Sequence, residues 1–230
     1  ASEISNSGHN IVSTIYIECK AMYRNDGPNE FKPVGEVEFA NGQAAMAASG
    51  LYGETKICAG IIGYADLRLG AAVGEVLDAE LAAAGDRFKG IRFAGTWNPD
   101  PKIRNGSNNP TDNQFQEPLF REGFGELRTR NLVFEAWCYH THLEQVTALA
   151  RAFPDITIIL NHFGGPIGVG SFADKRDEVF AQWQIDISEL STCENVYAKL
   201  GGLQMDVNGF AWHKRVKPPS SSELMKATRP

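Results

Sequence analysis

The stretch "TIILNHFGGPIG", Thr157–Gly168, decides the fold. Its first four residues are β-branched or leucine, with no polar alternation. Such a run suits a strand buried on both faces, as in a parallel sheet covered by helices. The chain then meets Asn161 and His162 and breaks into Gly164, Gly165 and Pro166. Glycine accepts positive φ and proline cannot continue a ladder, so the strand must end and turn there. A polar pair at the end of a buried strand, just before a sharp turn, is a pattern that carries chemistry.

The same order recurs outward from this point. Apolar runs at 11–19, 57–65, 88–95, 132–140, 156–162 and 195–203 read as strands. Between them, 35–50, 70–84, 117–129, 142–152 and 174–191 carry apolar residues three and four apart, as in Val146, Leu149 and Ala150, or Val179, Phe180 and Trp183. Six βα units in series imply an α/β protein with a parallel sheet. An open doubly wound sheet would place a G-x-G-x-x-G turn after the first strand, and "IECKAMYRNDG" holds none. A (β/α)8 TIM barrel predicts instead that polar residues gather at the C-terminal ends of several strands. They do: Glu18, Tyr23 and Arg24 after the first, Arg92 and Trp97 at the third, Tyr139 and His140 at the fourth, Asn161 and His162 at the fifth, and Lys199 in the sixth. The whole span, 1–230, is expected to be a single barrel domain. Two stretches rich in Asn, Pro, Asp and Gly, 23–36 and 98–118, leave from the same end as loops, either lids over a site or plain surface insertions.

Composition narrows the function classes. The chain is 43% hydrophobic and 22% charged, ordinary for a globular protein, with a net charge of −6 and no dense basic block. That argues against a nucleic-acid partner. No apolar run reaches the roughly 20 residues of a membrane span, and the polar start "ASEISNSGHN" is unlike a signal peptide. Cys19, Cys58 and Cys138 lie in strand-like runs, which predicts buried free thiols and a cytoplasmic location.

Two histidines at the ends of neighbouring strands, His140 and His162, can converge on one ion or one carbonyl, since parallel strands lie about 4.8 Å apart. His142 is expected to open the following helix and face solvent. His9, ahead of the first strand, is assigned no chemistry. His213, after the sixth, is a candidate substrate contact. Lys199 on an inner strand also admits a Schiff base, although carbonyl trapping there is expected to fail.

Together "GHNIVSTIYIEC", "AMYR", "PVGEVEF", "YHTHLEQVTALARAFPDITIILNHFGGPIGVG", "RDEVFAQW" and "NVYAKLGGL" resemble the amidohydrolase-2 branch of the amidohydrolase superfamily, over almost the whole chain. This branch of TIM-barrel enzymes includes 2-pyrone-4,6-dicarboxylate lactonase and aminocarboxymuconate-semialdehyde decarboxylase. The resemblance implies that His140 and His162 are the histidines of barrel strands five and six, catalytic or metal-binding. Strands two to seven are then present. The H-x-H pair of strand one and the aspartate of strand eight have no match, so a sequence truncated at both ends is expected. The implied activity is hydrolysis of a lactone, ester or amide in a small carboxylated substrate. Arg24, Arg92 and Lys199 would hold its carboxylates, and Glu18, Tyr23, Trp97, Tyr139, Asn161 and His213 would complete the pocket. A divalent metal, zinc or manganese, is one expectation and a metal-free lactonase site the other. A metal-dependent decarboxylase and a non-catalytic barrel are the alternatives, and a homodimer is among the expected states.

Overall fold

Six strands appear in a computed structural model that describes residues 2–228: β1 Ser13–Ile17, β2 Lys56–Gly63, β3 Phe88–Ala94, β4 Val133–Trp137, β5 Ile158–Leu160 and β6 Val196–Ala198. Seven helices accompany them: α1 Ser2–Ser5, α2 Val34–Ala48, α3 Val73–Ala84, α4 Pro118–Thr129, α5 Leu143–Ala152, α6 Arg176–Leu190 and α7 Ser221–Thr228. Contacts divide the chain into two compact units, residues 1–93 with 117–135, and 94–116 with 136–230. The boundary runs through β4, which therefore contributes to both.

In the first unit the strand order is β1-β2-β3-β4. The β1–β2 and β2–β3 ladders are parallel, with Ile15 opposite Gly60 and Ile62 opposite Gly90. Its core follows from helix periodicity. Val34, Val37, Ala40 and Ala44 give α2 one buried stripe, and Val73, Val76, Leu77 and Ala84 do the same for α3. Helix α4 begins with Pro118 at its first position, where the missing N–H costs nothing. It buries Phe120, Phe124 and Leu127. Phe120 meets Phe93 and Phe134 edge-to-face at 5.4 and 6.0 Å, and Phe124 meets Phe134 at 5.1 Å. These rings bring specific geometry as well as apolar area to the core.

In the second unit the order is β4-β5-β6, and β5 pairs parallel with β6, Ile158 opposite Val196. Helix α5 buries Leu143, Val146, Leu149 and Ala150. Parallel strands in chain order with a helix between successive strands are the α/β pattern of a (β/α)8 TIM barrel, with six strands present among the described residues.

Three expectations need correction. Cys58, Cys138 and Cys193 are buried free thiols, but Cys19 is exposed, because β1 ends at Ile17 and the chain has already left the sheet. Lys199 falls just after β6 rather than within it, although its N–H still reaches the Leu160 carbonyl at 3.0 Å. Phe180 is a surface residue of α6, since the buried positions of that helix are Val179, Asp186 and Leu190.

Candidate active site

In the second unit the ladder of β4 stops at Trp137, and Cys138 and Tyr139 carry the chain to His140. There one 3-10 turn, His140–His142, leads into α5. His140 is 4% exposed. Its ring meets Phe172 edge-on at 5.3 Å, and its Nδ1 accepts the Ile167 N–H at 3.3 Å. Burial, and secondarily nearby His142, lowers its pKa to about 4. The ring is therefore neutral at neutral pH. A neutral imidazole carries one N–H, so with Nδ1 accepting, the proton sits on Nε2. The Ile167 amide thus sets the tautomer: His140 offers a hydrogen-bond donor, and its lone pair is already in use.

The "NHFGG" segment follows directly on β5. Asn161–Gly164 forms a short turn in which His162 (φ 53°) and Phe163 (φ 55°) are left-handed, followed by Gly164 (φ 68°) and Gly165 (φ 42°). Four successive residues with positive φ reverse the chain within one turn. Glycine is required at the last two for space as well, because a Cβ at 164 would meet Leu143 at 2.5 Å and one at 165 would meet Trp137 at 2.9 Å. Left-handed backbone at two bulky residues stores strain, and neighbouring bonds must hold it. Trp183 Nε1 donates to the Phe163 carbonyl at 2.7 Å, and the His162 ring stands edge-on to Trp137 at 4.8 Å. Gly202 (φ +82°) approaches so closely that a Cβ there would lie 2.0 Å from His162 Nδ1.

The loop after β3 is built onto these strand ends. Tyr139 donates from its hydroxyl to the Arg104 carbonyl. Asp100 accepts the Ser171 N–H at 2.7 Å and the Lys102 N–H at 2.9 Å, which hold its carboxyl below the usual range. Asn98 and Asn105 exchange backbone–side-chain bonds at 2.8 and 3.1 Å. Ile103, Tyr139 and Ile167 bury one another, flanked by Trp137 and Phe172. His142, expected to face solvent, is 2% exposed. Its Nε2 lies 3.2 Å from Asp112 Oδ1 and its Nδ1 3.0 Å from Thr141 Oγ1, while Gln145 Nε2 donates to the Asp112 carbonyl at 2.6 Å. The correction is physical: the 98–118 loop covers the start of α5 and gives His142 a partner there. Sequence reading missed Asp100, Asp112, Gln145 and the Ile167 amide. Only the turn chemistry of the loop hinted at them.

The remaining candidates of this unit are dispersed. Asn161 is 0% exposed, and neither end of its amide has a hydrogen-bond partner. Trp97 is half-buried beside Thr96. His213 Nδ1 is 2.8 Å from Asp206 Oδ1 at the surface. In the first unit, buried Glu18 accepts from Arg92 Nε at 2.9 Å, and Arg92 Nη2 donates to the Glu18 carbonyl. Burial raises the Glu18 pKa and Arg92 opposes that rise. Arg24 pairs with Glu38 at the surface, and the Tyr23 hydroxyl is buried without a hydrogen-bond partner.

A metal fits this donor set poorly. The His140 lone pair is committed to Ile167, and no group of three His, Cys, Asp or Glu able to hold an ion exists among the described residues. No helix among them is long and apolar enough to cross a membrane.

Comparison with known proteins adds the family. Amidohydro_2 (Amidohydrolase) matches residues 21–227. The chain belongs to this amidohydrolase family. Over 208 residues, 90% of this chain, it is 32% identical to the uncharacterised protein y4mH of Sinorhizobium fredii. Over 210 residues, 86% of the chain, it is 24% identical to L-fucono-1,5-lactonase of Burkholderia ambifaria. The chain spans 62% and 64% of the length of those two relatives. Solved structures of a Burkholderia multivorans amidohydrolase, one with bound HEPES and one with bound zinc, share the fold at a TM-score of 0.56 and 19% identity. The match covers 94% of this chain and 75% of theirs.

Proposed function

We propose that the chain serves a hydrolase that opens a lactone or similar ester in a small polar substrate. The observation that carries this reading is His140, buried, neutral and fixed by the Ile167 amide as an Nε2–H donor. Ester hydrolysis needs a donor aimed at the oxygen where negative charge develops, and a neutral, pre-oriented N–H supplies it without reorganisation. His162, at the end of the neighbouring strand, is assigned the proton of the attacking water, in the general-base role that imidazoles commonly fill. The Burkholderia ambifaria lactonase relative supports the substrate class. The anchoring of a substrate carboxylate is assigned to Lys199, whose backbone N–H holds the Leu160 carbonyl at 3.0 Å beside Asn161 and His162. Asn161, buried with its amide unused, is assigned to the polar part of the substrate.

The test is a panel of sugar-acid and carboxylated lactones assayed by proton release. His140→Ala is expected to lower kcat/KM about 100-fold or more with an unchanged circular dichroism spectrum, and His162→Ala to do likewise. Wild-type turnover in both folded variants would sink the reading.

A further inference from the structure

At the start of α5, three side chains of the second unit stand as nucleophile, base and acid. His142 is buried, whereas Thr141 and Asp112 are exposed. Asp112 Oδ1 lies 3.2 Å from His142 Nε2. An ionised carboxylate only accepts, so Nε2 carries the ring proton and Nδ1 keeps its lone pair. The Thr141 hydroxyl, 3.0 Å from Nδ1, is therefore the donor of that bond. Gln145 Nε2 donates to the Asp112 carbonyl at 2.6 Å and ties the acid to the helix. Nucleophile–base–acid relays are recognised by such geometry and not by chain order. Here the two ring nitrogens take the opposite roles from those in Ser-His-Asp enzymes. The cause is local: the hydroxyl belongs to the adjacent residue, and Nδ1 is the ring nitrogen nearer the backbone. Thr141 also stands two residues ahead of the ten-residue α5, whose positive end favours negative charge developing on an acyl oxygen.

We propose that Thr141 is a nucleophile toward small activated acyl esters, in a reaction that uses neither His140 nor His162. Thr141 Oγ1 bonds to the acyl carbon as its proton passes to His142 Nδ1. The tetrahedral centre collapses, the ester's alcohol leaves with that proton, and an acyl-threonine remains. Water then attacks the same carbon and gives a proton to Nδ1, and Thr141 leaves as the restored hydroxyl with that proton. The sum is ester plus water giving acid plus alcohol. Asp112 and Glu144, the acidic residue in the first turn of α5, place negative charge at the site, so the acyl group it accepts is uncharged. That separates it from the carboxylated substrates assigned to the histidine site.

The test treats the full chain with p-nitrophenyl acetate, follows release of p-nitrophenolate, and locates the acetyl group by acid quench and peptide mass mapping. The phenolate is a better leaving group than the threonine alkoxide, so the acyl-threonine accumulates. One acetyl group per chain is expected on Thr141. Thr141→Ser should keep it. Thr141→Val should remove it while lactone turnover stays equal to wild type, so this proposal stands or falls apart from the roles assigned to His140 and His162. Asp112→Asn, a change at an exposed residue, should slow acetylation about tenfold or more with the same circular dichroism spectrum. His142→Gln should slow it about 100-fold. Acetyl groups confined to other residues, or release of p-nitrophenolate by Thr141→Val or Asp112→Asn as fast as by wild type, would each overturn the proposal.

Discussion

His140 and Glu80 are both buried titratable side chains, and they make stability lean in opposite directions with pH. For His140 the folded pKa is about 4 against an ordinary 6.5, chiefly through burial. Between those values the unfolded chain takes a proton that the folded chain refuses. The stability is therefore complete above 6.5 and lost as pH falls toward 4, by up to about 3 kcal/mol. His142 is depressed by burial as well and leans the same way. Urea unfolding of wild type and His140→Gln from pH 7 to 5 checks this, with a flatter profile expected in the variant. Glu80 on α3 is fully buried, and burial raises its pKa well above 4.5 against the opposing pull of the Tyr64 backbone. Here the unfolded chain releases a proton that the folded chain keeps, so stability falls as pH rises above 4.5. Glu80→Gln keeps the shape and removes the titration. It should raise Tm at pH 7 and match wild type near pH 4, and a pH-independent difference would refute the neutral carboxyl. The positions of His140 and His162 just past strand ends were legible in the sequence because apolar runs stop there. His142 was not, because its burial depends on a loop some 30 positions earlier. Arg24 and Arg92 were legible as cations near strand ends, whereas no local pattern announces Glu38 and Glu18 as their partners.

At the scale of elements, hydrophobic periodicity carried the reading furthest. All six strands and the five long helices between them lie where the apolar runs place them, with ends displaced by a few residues. The displacements cluster at the strand C-termini, where polar residues extend the chain without extending the ladder. Thus β5 is only Ile158–Leu160, and Asn161 and His162 belong to the turn. Leu160 is wholly buried in that strand, so Leu160→Ala should cost about 2–5 kcal/mol in chemical denaturation. A flat response would mean β5 is not core. Gly202 tests the turn itself. Gly202→Ala puts a methyl into the His162 ring and a side chain at positive φ. Its expected signature is a loss of turnover matching His162→Ala, with only about 1–3 kcal/mol of destabilisation. Full activity would show that His162 tolerates displacement.

For the molecule as a whole, the donor inventory makes a prediction about metal. Tight binding to the folded state raises Tm as ligand concentration exceeds Kd. The described residues hold no three-ligand cluster, and His140 spends its lone pair on a backbone amide. Chelator should therefore leave the Tm of this chain unchanged, and added zinc should not raise it. A stoichiometric zinc-dependent rise would show that the Ile167 bond yields to metal. The parallel α/β pattern was readable at this scale because a βα repeat needs only local signals. The division into two compact units was not, because it depends on which long loop packs with which strand end.

The tandem left-handed backbone at His162 and Phe163 also leaves a mark on which sequences this turn can accept. A saturation library at position 163, selected for folded protein, should enrich glycine and asparagine and deplete valine, isoleucine and threonine. The phenylalanine there is tolerated because what the turn needs from it is a carbonyl pointed at Trp183. Position 163 is therefore a site where sequence can drift toward the smallest residue while its neighbour, the histidine, stays fixed.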